Sequence, residues 1–99
     1  MLVNAAGILR SAHTHEMTLD FWNTVIGVNL TGTFLMTRES LPALLESGAG
    51  VVVNFSSTSA TFAHPYMTAY AASKGGVLGL CEVLRFDLAS SGIAVHCAV

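Results

Sequence analysis

Charge is what this 99-residue sequence has least of: four Lys or Arg and six Asp or Glu, 10% of the chain, for a net charge of −2. An average globular chain carries about a quarter charged residues. Hydrophobic residues reach 53% and the mean hydropathy is +0.63. Polar cover is thus too thin for a free-standing small domain, which predicts a piece of a larger one or a chain buried against partners. The lack of clustered basic residues argues against nucleic acid or an anionic membrane as partner. No apolar run approaches the ~20 residues that span a bilayer, and "MLVNAAGILR" lacks the basic and apolar regions of a signal peptide. Two cysteines, Cys81 and Cys97, are too few for a disulfide framework. A reducing, cytoplasmic setting fits, so the sequons at Asn29 and Asn54 should carry no glycan. Repeats, low-complexity tracts and linkers are missing, as are G-x-G-x-x-G, Walker A and G-x-S-x-G sequences.

What is there alternates between strand and helix. "MLVNAAG" starts apolar and ends in small residues, like a strand running into a turn. Thr18 is a candidate N-cap for a helix reaching to the glycines at 48 and 50, with Pro42 as a kink or weak turn. "VVVNFSS" (51–57) reads as a short buried strand, and 58–68 as a loop. A second helix runs from about Tyr70 to Ala89 with an apolar stripe through Val77, Leu80, Cys81, Leu84 and Leu88. "IAVHCAV" is again strand-like. The order βαβαβ implies an α/β fold, a parallel sheet with helices on its faces and strands buried on both. Ligands of such sheets sit outside the carboxyl ends of the strands. That edge holds Asn4 to Gly7 and Ser56 to Ser59, and brings Ser57 and Tyr70 towards one crevice.

Several residues near that edge have chemistry available to them. Tyr70 and Lys74 are one helical turn apart, and a cation beside a phenol makes it a better acid/base. Taken alone, the pair also reads as a surface phenol and a solvated ammonium, the commoner arrangement. Ser57 at a strand end could hydrogen-bond a substrate oxygen, or simply form a turn. Asn29, inside an apolar helix, needs partners if buried and also reads as a satisfied structural amide. "NAAG" (4–7) allows close approach of a ligand, or is an ordinary tight turn. "HTH" (13–15), with His64 and His96, lacks Cys, Asp or Glu at ligand spacing, so no metal site is assigned.

In combination, "LVNAAG", Asn29 in "VNLTG", Ser57 thirteen residues before Tyr70, and "YAASK" resemble the short-chain dehydrogenase/reductase family over essentially the whole chain. The resemblance implies a Rossmann-type doubly wound parallel sheet. Residues 1–99 would be a single partial NAD(P)-binding domain, its fourth to sixth strands, carrying the catalytic half. It further implies oxidation and reduction between a secondary alcohol and a ketone, small-molecule substrates, with NAD or NADP as cofactor. Tyr70 would be the general acid/base, and Lys74 would tune it and bind the nicotinamide ribose. Ser57 would hold the substrate oxygen, and Asn29 a water in a proton relay. Asn4, Ala6 and Gly7 would line the cofactor side. A homodimer or homotetramer through the two long helices is the family's usual assembly. This chain departs from the family's N-N-A-G at Ala5. It also lacks the glycine-rich pyrophosphate loop and the residue that separates NAD from NADP. The alternative is a chain that keeps the site residues but acts only as a structural or interaction piece.

Overall fold

A computed structural model of the chain describes residues 1–60 and 64–99. Strand β1 (Leu2–Asn4) leads through a loop with a short 3-10 turn, Thr14–Glu16, into α1 (Leu19–Ile26). Thr18 caps that helix as its sequence position suggests: its side chain accepts from the Phe21 N–H at 3.0 Å. The helix does not end at Ile26. One π-type turn, Gly27–Thr31, joins it to α2 (Gly32–Ser47), with the Gly32 N–H reaching back to Gly27 O. Pro42 lies within α2 without dividing it, and Gly48 terminates it at φ +68°, a left-handed conformation that glycine adopts at little cost. Gly50 opens β2 (Gly50–Phe55) instead of ending the helix. A 3-10 turn, Thr58–Ala60, starts the expected loop, of which 61–63 lie outside the described residues. Helix α3 (Thr68–Asp87) and strand β3 (Ile93–Ala98) complete the chain.

The three strands form one parallel sheet in the order β1-β2-β3. Val52 stands beside Leu2 on one side and Val95 on the other. Helix α2 packs on β1 and β2, and α3 on β2 and β3. Both helices lie over the same sheet face, because the Asn4 amide meets Thr37 of α2 and Asn54, while Asn54 in turn meets Cys81 of α3. Here the structure corrects the expectation of strands buried on both sides. Val52, Asn54, Ile93 and Val95 are buried, whereas Val3, Phe55, Ala94 and His96, of opposite parity, are exposed.

The core under the helices is apolar: Val52, Val77, Cys81, Leu84, Leu88, Ile93 and Val95. Burying each large side chain contributes about 1.5–3 kcal/mol. The Cys81 thiol is among them, and burial pushes its pKa up to about 11 from an ordinary 9.0. Close approach of α3 to the π-type turn depends on Gly76, where an added Cβ would stand 2.6 Å from Leu30 Cδ2. The two sequon asparagines, Asn29 and Asn54, are fully buried. Among the described residues no helix is long and apolar enough to cross a membrane.

Candidate active site

All three strands are parallel, so their carboxyl ends share one edge. Asn4 ends β1, with Ala5 to Gly7 following, and Phe55 ends β2, with Ser56 and Ser57 following. Tyr70 lies in the first turn of α3, and Asn29 occupies the middle of the π-type turn. Such turns divert side chains from the regular helical direction and often mark functional positions.

Lys74 is the least expected occupant of this edge, for it is only 7% exposed. Its ammonium donates to the Phe55 carbonyl at 3.0 Å and lies 5.9 Å from the centre of the Tyr70 ring. Among the described residues no carboxylate forms an ion pair with it. A buried charge without a counter-ion is costly, so the fold tolerates it here only through polar contacts. An ammonium has three donors, and one of them goes to Phe55. A Cβ placed on Gly7 would come within 3.4 Å of both Lys74 Nζ and Asn29 Oδ1, so the absent side chain keeps open a small space flanked by both.

Asn29 is held from three sides. Its Oδ1 accepts the Ile8 N–H at 2.8 Å, while its Nδ2 donates to the Ile8 carbonyl at 2.9 Å and to Ser73 Oγ at 3.1 Å. The amide therefore clips the loop after β1 onto α3, with both amide hydrogens committed. Its backbone carbonyl accepts from Thr33 Oγ1 at 3.0 Å. Thr37 Oγ1 donates to the Thr33 carbonyl at 2.8 Å and accepts from Asn4 Nδ2 at 3.3 Å. Asn4 Nδ2 also donates to Asn54 Oδ1 at 2.6 Å, so its amide group is turned into this inner polar row.

Tyr70 and Ser57 are both half-buried. Ser57 Oγ accepts from the Ser59 N–H at 3.2 Å. The chain's other tyrosine, Tyr66, lies outside this cluster: it is 53% exposed and meets the His13 ring edge-on at 4.4 Å. Two serines that residue spacing does not single out also belong to the site. Ser56 Oγ donates to the Lys74 carbonyl at 2.8 Å, and Ser73 Oγ to the Tyr70 carbonyl at 2.7 Å. The available signal is Ser73 standing on the buried stripe of α3, in the same row as Val77 and Cys81.

The family model described as short chain dehydrogenase matches residues 1–99. The chain belongs to that family. It is 41% identical over 96 residues to D-threitol dehydrogenase of Mycolicibacterium smegmatis, covering 97% of this chain and 37% of that protein. A second relative, inactive 2-(S)-hydroxypropyl-CoM dehydrogenase 2 of Xanthobacter autotrophicus, is 37% identical over 95 residues, covering 96% and 41%. Among solved structures, 4-hydroxyisoleucine dehydrogenase complexed with NADH superposes with a TM-score of 0.92 at 34% identity, over 97% of this chain and 43% of that one. The same enzyme complexed with NADH and succinate gives the same TM-score and identity, with 46% of its chain covered. The short-chain dehydrogenase chain described here thus spans less than half the length of these relatives, and its fold is the corresponding part of a Rossmann-like α/β sheet.

The residues present fit a nicotinamide cofactor. Lys74 has donor capacity left for a sugar hydroxyl, and the side-chain-free Gly7 leaves room directly beside it.

Proposed function

We propose that the chain carries the catalytic half of a nicotinamide-dependent oxidoreductase that interconverts a secondary alcohol and a ketone, with Tyr70 as general acid/base. What supports this above all is Lys74, an ammonium buried without a carboxylate beside the Tyr70 ring. When bound, NAD or NADP accepts the hydride in alcohol oxidation and supplies it in ketone reduction. Ala6, Gly7, Lys74, Tyr70 and the backbone at Asn4 line its side of the site. Lys74 would hold a ribose hydroxyl, with its ammonium 5.9 Å from the centre of the Tyr70 ring. Tyr70 donates its proton to the carbonyl oxygen in reduction and takes the hydroxyl proton in oxidation. Ser57 donates a hydrogen bond to that oxygen, where negative charge grows. Asn29 has both amide hydrogens committed, so a relay water beside Lys74 would meet an oxygen of Asn29, on the Gly7 side.

The test is turnover of secondary alcohols with NAD and NADP, followed at the nicotinamide absorbance. Tyr70→Phe should reduce kcat by at least 10³-fold, about 4 kcal/mol in barrier, while NADH and NADPH still bind by fluorescence titration. Normal turnover by that variant would overturn the assignment.

A second reading, a chain that acts only as a structural or interaction piece, draws on the exposed apolar residues. Val3 and Phe55 are uncovered on the sheet, as are Phe34, Met36, Val83 and Phe86 on the helices. The helical residues also suit a homodimer or homotetramer of a cytoplasmic enzyme. Saturable dinucleotide binding at micromolar concentration favours the oxidoreductase, and its absence the structural piece.

A further inference from the structure

Helix α3 begins without a side-chain cap: Met67 occupies the N-cap position and makes no such bond. The first turn of a helix has backbone N–H groups without helical partners and frays unless something else holds it. Tyr70 sits in that turn. A general acid/base on a loose turn loses much of its rate, since misplacement of about 1 Å can cost on the order of 10²-fold.

Ser73 supplies a brace. It is fully buried, on the same stripe as Ala69, Val77 and Cys81, where packing alone needs no hydroxyl. A buried hydroxyl is tolerated when it is bonded, and this one is bonded twice. It has a single hydrogen, and the Tyr70 carbonyl can only accept, so Ser73 Oγ–H donates there at 2.7 Å. The Asn29 amide nitrogen can only donate, so Ser73 Oγ accepts from it at 3.1 Å. The same nitrogen donates its other hydrogen to Ile8 O. A directed chain therefore runs Ile8–Asn29–Ser73–Tyr70. Asn29 and Ser73 are both fully buried, so water does not compete for their bonds.

We propose that Ser73 is a positioning residue: it transmits the placement of Asn29 to the first turn of α3 and so fixes the Tyr70 phenol. This rests on the assignment of Tyr70 as general acid/base. Asn29 then serves the site as an anchor for the acid as well as beside Lys74.

The test compares Ser73→Ala with Ser73→Thr in the holoenzyme. Ser73→Ala should lower kcat about tenfold, leave the dissociation constant for NADH within about twofold, and add little to the loss caused by Asn29→Ala in the double variant. Ser73→Thr, which keeps the hydroxyl, should recover most of the rate. Ser73→Cys, similar in size with a weaker donor, takes the same readout should either substitution prevent folding. Wild-type kcat in Ser73→Ala would overturn the proposal, as would equal losses in the Ala and Thr variants. A wild-type protein without dehydrogenase turnover would defeat the activity reading alone. Ser73 is then judged by amide hydrogen exchange, which Ser73→Ala must accelerate about fivefold or more over residues 70–73 while leaving 77–84 unchanged. Uniform acceleration would defeat the brace.

Discussion

The two halves of α3 share one buried stripe and treat it in opposite ways. From Val77 through Cys81 and Leu84 the stripe is apolar and packs against the sheet. From Ala69 to Lys74 it holds a serine and an ammonium, both buried, with a tyrosine half-buried beside them. The lower half gains free energy by leaving water. The upper half gives some of it up, because Lys74 is desolvated without a counter-ion. On the proposed function one helix separates stability from chemistry along its length, and the boundary falls at the double glycine, where Gly76 lets the π-type turn come close.

The largest effect that could break this division is expected at its top. Lys74→Met should cut kcat/KM by about 10³-fold, near 4 kcal/mol, yet change unfolding free energy by less than about 1 kcal/mol, since a buried unpaired charge gives way to an apolar side chain. Urea denaturation beside a rate assay reads both, and a large stability loss would erase the contrast. Leu84→Ala should do the reverse, costing about 2–4 kcal/mol of stability through the cavity left in the core, with the pH profile of any residual activity unmoved. At the boundary, Gly76→Ala forces Leu30 aside and should cost roughly 1–3 kcal/mol, with part of the loss showing in kcat because Asn29 is one residue from Leu30. The smallest effect concerns pH. The native Cys81 thiol holds its proton up to about 11, against 9.0 ordinarily. Above pH 9 the unfolded chain releases that proton first, so stability present below pH 9 falls as the pH rises towards 11. The loss should be on the order of 1 kcal/mol by pH 10. Cys81→Val should remove that part of the slope and keep the rest.

Element order and the parallel sheet were legible from period and punctuation alone: the Thr18 cap, the glycine after Ser47, and the β-branched run at 51–53 mark real boundaries. Burial was legible only on one side. Hydrophobic strand sequences signal apolar faces but not what covers them, and both helices here cross the same face. At the site, spacing was enough to bring Tyr70 and Lys74 together on one turn. It did not convey that Lys74 reaches the Phe55 carbonyl, or that Asn4 turns inward to Thr37 and Asn54. Those contacts join residues 19 to 50 positions apart, across different elements. Ser56 was placed at the edge without a role, and Ser73 was not singled out for a plainer reason: a serine among small residues looks like a spacer until its hydrogen bonds are seen.

The turn at Gly27–Thr31 has a consequence for how this chain can change length. A helix that closes one ring over five residues instead of four contains, in effect, one residue more than a regular helix would need. Deleting Val28 or Leu30 would let the helix run straight with the residues beyond keeping their facing, whereas the same deletion in a regular helix would rotate everything beyond it by about 100°. What would be lost is the wide turn itself, from which Asn29 bonds Ile8 and Ser73. A single-codon deletion there should therefore be far more damaging than one in the exposed loop around Ser11, although neither would remove a reacting group.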